Sequence, residues 1–267
     1  MRPAVPWGPR TVWIGLAVFV SIFVVANIFV VAYVALADRR VTDAGDVLDR
    51  TTRVAEYASQ RLQAATAGRA FPAAPKLLAD QDALRITLGI TVLTQVALFT
   101  VVGIASKQSF RELAHSVGLD RFRPWGLWRP ALAVIAAYLM VVGYSIAADA
   151  IGIELLKPQS TVPIEVTRES LTLAMAAAVT LVGAPFTEEL FFRGFVFSGL
   201  RRWGAAQAAI VSSITFAVFH FDPGSFIPFT IVALVLAWLY WSRGSLWDSL
   251  VFHCLFNATS FVFLVWG

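Results

Sequence analysis

Long apolar runs separated by short polar connections dominate the chain, and about 20 apolar residues suffice for a helix to cross a bilayer. Seven segments are candidates: 12–37, 84–105, 130–148, 170–192, 205–221, 226–241 and 246–266. The fifth and sixth are short for a full crossing, so tilt or a partly re-entrant path is expected of them. The last four are crowded, with a connection as brief as "DPGS" at Asp222–Ser225. One substantial polar stretch, residues 38–83, separates the first two spans. Its apolar spacing at Val47, Leu48, Val54, Ala55, Ala58 and Leu62 predicts a solvated amphipathic helix, a connector rather than a binding module. "FPAAPK" at Phe71–Lys76 then breaks that helix. No internal repeat or low-complexity tract is present. The pattern predicts an all-α, polytopic transmembrane helix bundle of about seven spans.

The N-terminal run admits another reading, because Arg2 and Arg10 precede it and "ALAD" at Ala35–Asp38 resembles a cleavage site. Signal-peptide cores are roughly 7–15 residues, whereas the run from Thr11 to Ala37 is 27 residues. It is expected to be a retained transmembrane helix.

Composition agrees with this class. Charged residues make up 14% of the chain and hydrophobic ones 58%, with a mean hydropathy of +0.72, whereas soluble domains carry about 25% charged residues. The net charge of +4 and pI near 9.6 do not point to nucleic acid, because Lys and Arg are spread over short connections without a basic tract. A single cysteine, Cys254, excludes an internal disulfide and any CxxC site.

Orientation follows from the basic residues. With the N-terminus in the cytosol, Arg2, Arg10, Lys107, Arg111, Arg121, Arg123, Arg129, Arg201, Arg202 and Arg243 lie inside. Only Lys157 and Arg168 fall in the short outer segments, an asymmetry that favours a multi-pass cell-membrane protein with a cytoplasmic N-terminus. The seven Lys/Arg of the 38–83 loop weigh against it. Trp125, Trp128, Trp203, Trp241 and Trp247 fall near one face, as an interfacial belt requires.

Against this background, a few ionisable groups stand inside apolar sequence. Each costs at least ~2.5 kcal/mol in hydrocarbon, so such groups persist when paired or lining a watery cavity. They form three clusters in the last four spans: Glu188, Glu189 and Arg193; His220, four residues after Phe216; and His253 with Asn257. His115, the third histidine, falls in a connection. Glu189 and Arg193 share a helix face at i,i+4 and can pair. Glu188 is rotated by about 100°, which leaves its carboxylate free. His253 and Asn257 point the same way, so three helices each offer polar groups toward a common centre. A carboxylate beside two imidazoles can act as general base on a water, or the imidazoles can hold a metal that acidifies that water. Taken singly, each cluster has a structural reading as well: a packing ion pair, a buried histidine at a helix end, and interhelical hydrogen-bonding glue.

In this order the residues resemble the CAAX protease and bacteriocin-processing family of intramembrane endopeptidases, whose pattern is EExxxR, FxxxH and HxxxN or HxxxD. Here the motifs read "EELFFR" at Glu188–Arg193, "FAVFH" at Phe216–His220 and "HCLFN" at His253–Asn257, with Gly194 after the arginine. The resemblance covers roughly residues 170–266, dividing the chain into N-terminal spans (1–169) and a four-helix catalytic core (170–267). It implies an intramembrane polar cavity and hydrolysis of a peptide or membrane-protein substrate. Glu188 would activate water, Glu189 and Arg193 would form the supporting pair, and Asn257 would serve as oxyanion donor. His220 and His253 would be catalytic or metal-binding imidazoles, with zinc or another divalent metal, held with Glu188, as the candidate cofactor. The lipid bilayer and a peptide substrate are the implied partners, with no nucleic acid; nothing sets an oligomeric state. Two alternatives stay open: a non-catalytic immunity or scaffold protein of the same fold, and a proton-coupled transporter, for which no inverted repeat is evident.

The reading rests on convergence. Glu188, His220 and His253 must lie within about 10 Å of one another, around a water or metal. For His253 this requires the seventh span to start deep or the sixth to be short.

Overall fold

The structure is a computed structural model that describes residues 5–37, 56, 59–60, 63–64, 67–70, 72, 80–158, 162–220 and 222–266. The predicted amphipathic helix within 38–83 and its "FPAAPK" break lie outside the described residues, apart from isolated positions. Among the described residues there is no strand. The long apolar helices are α1 (Pro9–Ala37), α2 (Asp80–Ser106) and α4 (Trp128–Ile151). After them come α5 (Ser170–Trp203), α6 (Ala205–Val218), α7 (Phe226–Arg243) and α8 (Leu246–Trp266). Short α3 (Phe110–Val117) links α2 to α4. Among the described residues, six helices are long and apolar enough to cross a membrane. The seventh candidate, α6, is the shorter apolar helix expected from its sequence.

At the centre lies α5, where every residue from Glu189 to Leu200 is buried. A helix buried on all sides shows no amphipathic stripe, which is why this stretch reads as continuous phenylalanine. One core cluster joins α5 to α1, α2, α3 and α6 through Phe19, Val102, Val117, Phe191, Phe195 and Phe216. The Trp7 indole donates to the Phe195 carbonyl at 3.0 Å. A second cluster, including Val134, Leu236, Leu239 and Phe252, joins α4, α7 and α8. Outward positions such as Leu93, Ile104, Leu139 and Ile146 are exposed apolar groups, as a lipid-facing surface requires.

Along α5 the helix widens twice into π-helical turns, at Val179–Gly183 and Glu189–Phe197. Such turns disturb the regular i→i−4 ladder, and neighbouring side chains satisfy carbonyls along them. Gln95 of α2 donates to the Val179 carbonyl at 3.4 Å, Ser212 of α6 to Phe192 at 2.7 Å, and Ser198 to Arg193 at 3.0 Å. The Ser198 hydroxyl also bonds that of Tyr240 at 3.0 Å.

At one end of the bundle, α3 and α7 both stop on left-handed glycines, Gly118 (φ 77°) and Gly244 (φ 64°). These two backbones meet so closely that a Cβ on Gly118 would strike the Gly244 carbonyl. Ser245 then donates to the Gly118 and Arg121 carbonyls at 3.2 and 3.1 Å, and the Trp247 indole donates to Leu119 at 2.6 Å. Leu246, Asp248 and Ser249 are consequently buried. The last helix therefore starts inside the bundle, as His253 requires. Trp125, Trp128 and Trp203 of the expected belt are exposed, whereas Trp247 is tied to this junction and Trp241 lies beneath the Arg201 guanidinium, 4.7 Å from the ring centroid.

Candidate active site

Three helices deliver the site residues. Glu189 and Arg193 project from the second π-helical turn of α5, and both side chains are fully buried. Their i,i+4 contact forms as expected, with Arg193 Nη1 donating to Glu189 Oε1 at 2.9 Å. Two further contacts hold the guanidinium: Nη2 donates to the Ala233 carbonyl at 3.2 Å, and the carbon of the group lies 4.6 Å from the Phe216 ring centroid. An arginine inside a hydrophobic bundle is tolerable when its charge is paired in this way; of its donors, Nη1 and Nη2 are bonded, while Nε is buried without a partner.

From α8, His253 Nδ1 bonds the same Glu189 oxygen at 2.9 Å. Donation from Nδ1 to a carboxylate fixes the tautomer, so Nε2 carries the free lone pair. That Nε2 lies 3.9 Å from Glu188 Oε2, beyond direct hydrogen-bond range. Glu188 Oε2 is buried without a hydrogen-bond partner. Glu189 Oε1 is therefore tied down on two sides, whereas Glu189 Oε2, like Glu188 Oε2, is buried without a partner; of the two carboxylates, Glu188 is the one that borders the cavity.

His220 lies just beyond α6 and bonds the Phe216 carbonyl through Nδ1 at 2.8 Å, which again leaves Nε2 as the acceptor. Phe216 sits between the imidazoles, its ring centroid 4.5 Å from that of His220 and 5.9 Å from that of His253. One turn after His253, Asn257 donates Nδ2 to the Thr180 carbonyl at 2.9 Å, in the first π-helical turn of α5. An amide nitrogen carries two protons, so this bond orients the side chain without exhausting it. His115 takes no part. It lies on α3, bonded at 2.7 Å to Asp120, and this bond holds the aspartate carboxyl below its ordinary range.

Glu188, His220, His253 and Asn257 border one cavity of about 520 Å³, whereas Glu189 and Arg193 lie behind its wall. Of the three groups expected to converge, Glu188 and His253 approach to 3.9 Å, and His220 borders the same cavity. Tyr138 of α4 and Ser260 of α8 also border the cavity; their hydroxyls are 2.5 Å apart, and Tyr138 donates to the Phe256 carbonyl at 2.8 Å. Sequence reasoning passed over both, and over Gln95. Their only signal was a polar atom inside an otherwise apolar run. The donor types suit zinc, but among the described residues no three His, Cys, Asp or Glu side chains are gathered closely enough to hold a metal ion. The side-chain set as it stands does not form a metal cage.

A multi-pass helical membrane protein with a buried Glu–Arg–His cluster beside a largely apolar cavity that Glu188, His220, His253 and Asn257 border is the class these features define. Residues 170–259 match the family model described as type II CAAX prenyl endopeptidase Rce1-like. That model describes a domain of the CAAX protease and bacteriocin-processing family, and the match covers about a third of the chain. No curated protein matches the chain, and no solved structure does.

Proposed function

We propose that the protein is an intramembrane endopeptidase that cleaves a peptide or membrane-protein substrate with water activated by Glu188. The observation that carries this reading is the uncommitted Glu188 oxygen, 3.9 Å from a His253 Nε2 whose lone pair is free. A water between them would direct one proton to each acceptor and keep its own lone pair for attack. As the new C–O bond forms at the scissile carbonyl, Glu188 takes the water proton. It then returns that proton to the departing amide nitrogen as the C–N bond breaks. Asn257, oriented by Thr180, would donate its second N–H to the developing oxyanion. His220 would accept a hydrogen bond from the substrate or from water through Nε2. Glu189 and Arg193 position His253 and touch neither substrate nor water. Every step is carried by the chain's own side chains.

The cavity's apolar walls, from Leu84 and Leu88 of α2 to Phe229, Val232 and Phe256, suit an extended apolar peptide segment over a soluble polar ligand. The clustering of Arg121, Arg123, Arg129, Arg201, Arg202 and Arg243 at one end of the bundle supports a cell-membrane protein with that end in the cytosol.

The test is a comparison of peptide ends in membranes from cells carrying the wild type and Glu188→Ala. New termini should be present with the wild type and absent with the variant. Identical sets of ends at equal protein levels would favour a non-catalytic role for the same fold.

A further inference from the structure

A second recess of about 520 Å³ lies away from the catalytic cavity, where the connection leading into α4 meets the end of α7. Arg123, Arg129 and Arg243 line it, with Trp125 and Trp128 beside them. The nearby carboxylate is Asp248, whose Oδ2 is buried 3.5 Å from Arg243 Nη1 and makes no hydrogen bond. Three guanidinium groups against this one carboxylate leave +3 − 1 = +2 at the recess. Arg243 is held in place by backbone: a Cβ on Gly126 would overlap its guanidinium.

The tryptophans identify the surroundings. Trp125 is 94% exposed and Trp128 is 62% exposed, which suits indoles standing in the headgroup zone of a bilayer. Immediately beyond them, α4 presents Leu132, Ile135 and Leu139 as an exposed apolar strip. The positive recess is thus continuous with a lipid-facing surface. No side chain caps the start of α4, and a helix N-terminus adds its own preference for an anion.

We propose that this recess binds the headgroup of an anionic phospholipid. The arginines would hold the phosphodiester, the tryptophans would sit at the glycerol level, and the acyl chains would lie along α4. Guanidinium groups bind phosphate oxygens in a fork geometry, and basic pockets between membrane helices on the cytoplasmic side suit anionic headgroups. The site is independent of the proteolytic reading.

The experiment uses the full chain in neutral detergent, titrated with dioctanoyl phosphatidylglycerol, dioctanoyl phosphatidylcholine or inorganic phosphate. Retained adducts are counted by native mass spectrometry. Phosphatidylglycerol should saturate one site and bind at least tenfold more tightly than either other probe. The double substitution Arg123→Gln with Arg129→Gln should weaken it by about fivefold per charge removed. If the double variant does not fold, Arg123→Gln alone, at an exposed side chain, should show the single fivefold step. Equal binding of phosphatidylcholine would overturn the proposal, as would unchanged phosphatidylglycerol binding in a folded variant. Inorganic phosphate binding as tightly as phosphatidylglycerol would make the recess a free-anion site and overturn the lipid assignment.

Discussion

Adjacent carboxylates do different work because each meets different neighbours. Glu189 Oε1 accepts from Arg193 and from His253, both at 2.9 Å, so removing either donor strands a buried charge. Breaking such a pair costs roughly 3–5 kcal/mol. Arg193→Ala should therefore lower the detergent melting temperature and expression far more than Glu188→Ala. Replacing both members, Glu189→Gln with Arg193→Gln, should recover part of that stability without activity. Melting of Arg193→Ala at the wild-type temperature would contradict the role given to the pair. Much of this was legible in the sequence: the i,i+4 spacing gives the ion pair and the offset carboxylate. The partners of Asn257 and Arg193, which are the carbonyls of Thr180 and Ala233, were not. A backbone carbonyl has no residue code, and only tertiary packing brings it near.

The helices follow the apolar runs, with differences that have physical causes. The apolar run of the fourth span ends at residue 192, but α5 continues to Trp203, because Arg193 is paired with Glu189 inside the bundle and does not mark a membrane boundary. The π-helical turns were not legible. They depend on hydroxyl and amide donors far away in the chain, such as Ser212 for the Phe192 carbonyl. Ser212→Ala should leave that carbonyl without its side-chain donor and cost about 1–3 kcal/mol. Hydrogen exchange should then quicken around Glu189–Phe197, with a loss of cleavage, since this segment carries the Glu189–Arg193 support. Unchanged exchange there would show that the turn does not need the hydroxyl.

Over the whole molecule, the seven apolar segments were all legible from hydropathy, and the three motifs in series supply residues that border one cavity. The junction that lowers the start of α8 into the bundle was not, because it rests on contacts between residues 118–121 and 244–247 across a long separation in sequence. Orientation can be read with single cysteines in a Cys254→Ala background. A membrane-impermeant maleimide should label Val162→Cys in intact cells and Gln108→Cys only after lysis; the reverse pattern would invert the assignment. Catalysis by side chains also predicts that a chelator leaves cleavage by the purified protein unchanged, and loss of cleavage restored by a divalent metal would contradict the metal-free steps.

The central claim is that Glu188 activates the attacking water. Its most direct test is the cleavage rate of a peptide spanning one of the wild-type-dependent ends, measured for purified wild type and Glu188→Gln in bilayers, alongside their melting temperatures. Loss of general acid–base catalysis at one residue should cost at least about 100-fold in rate. The melting temperature should hardly change, because Glu188 Oε2 makes no hydrogen bond. Full cleavage by a Glu188→Gln protein that melts like the wild type would contradict the account.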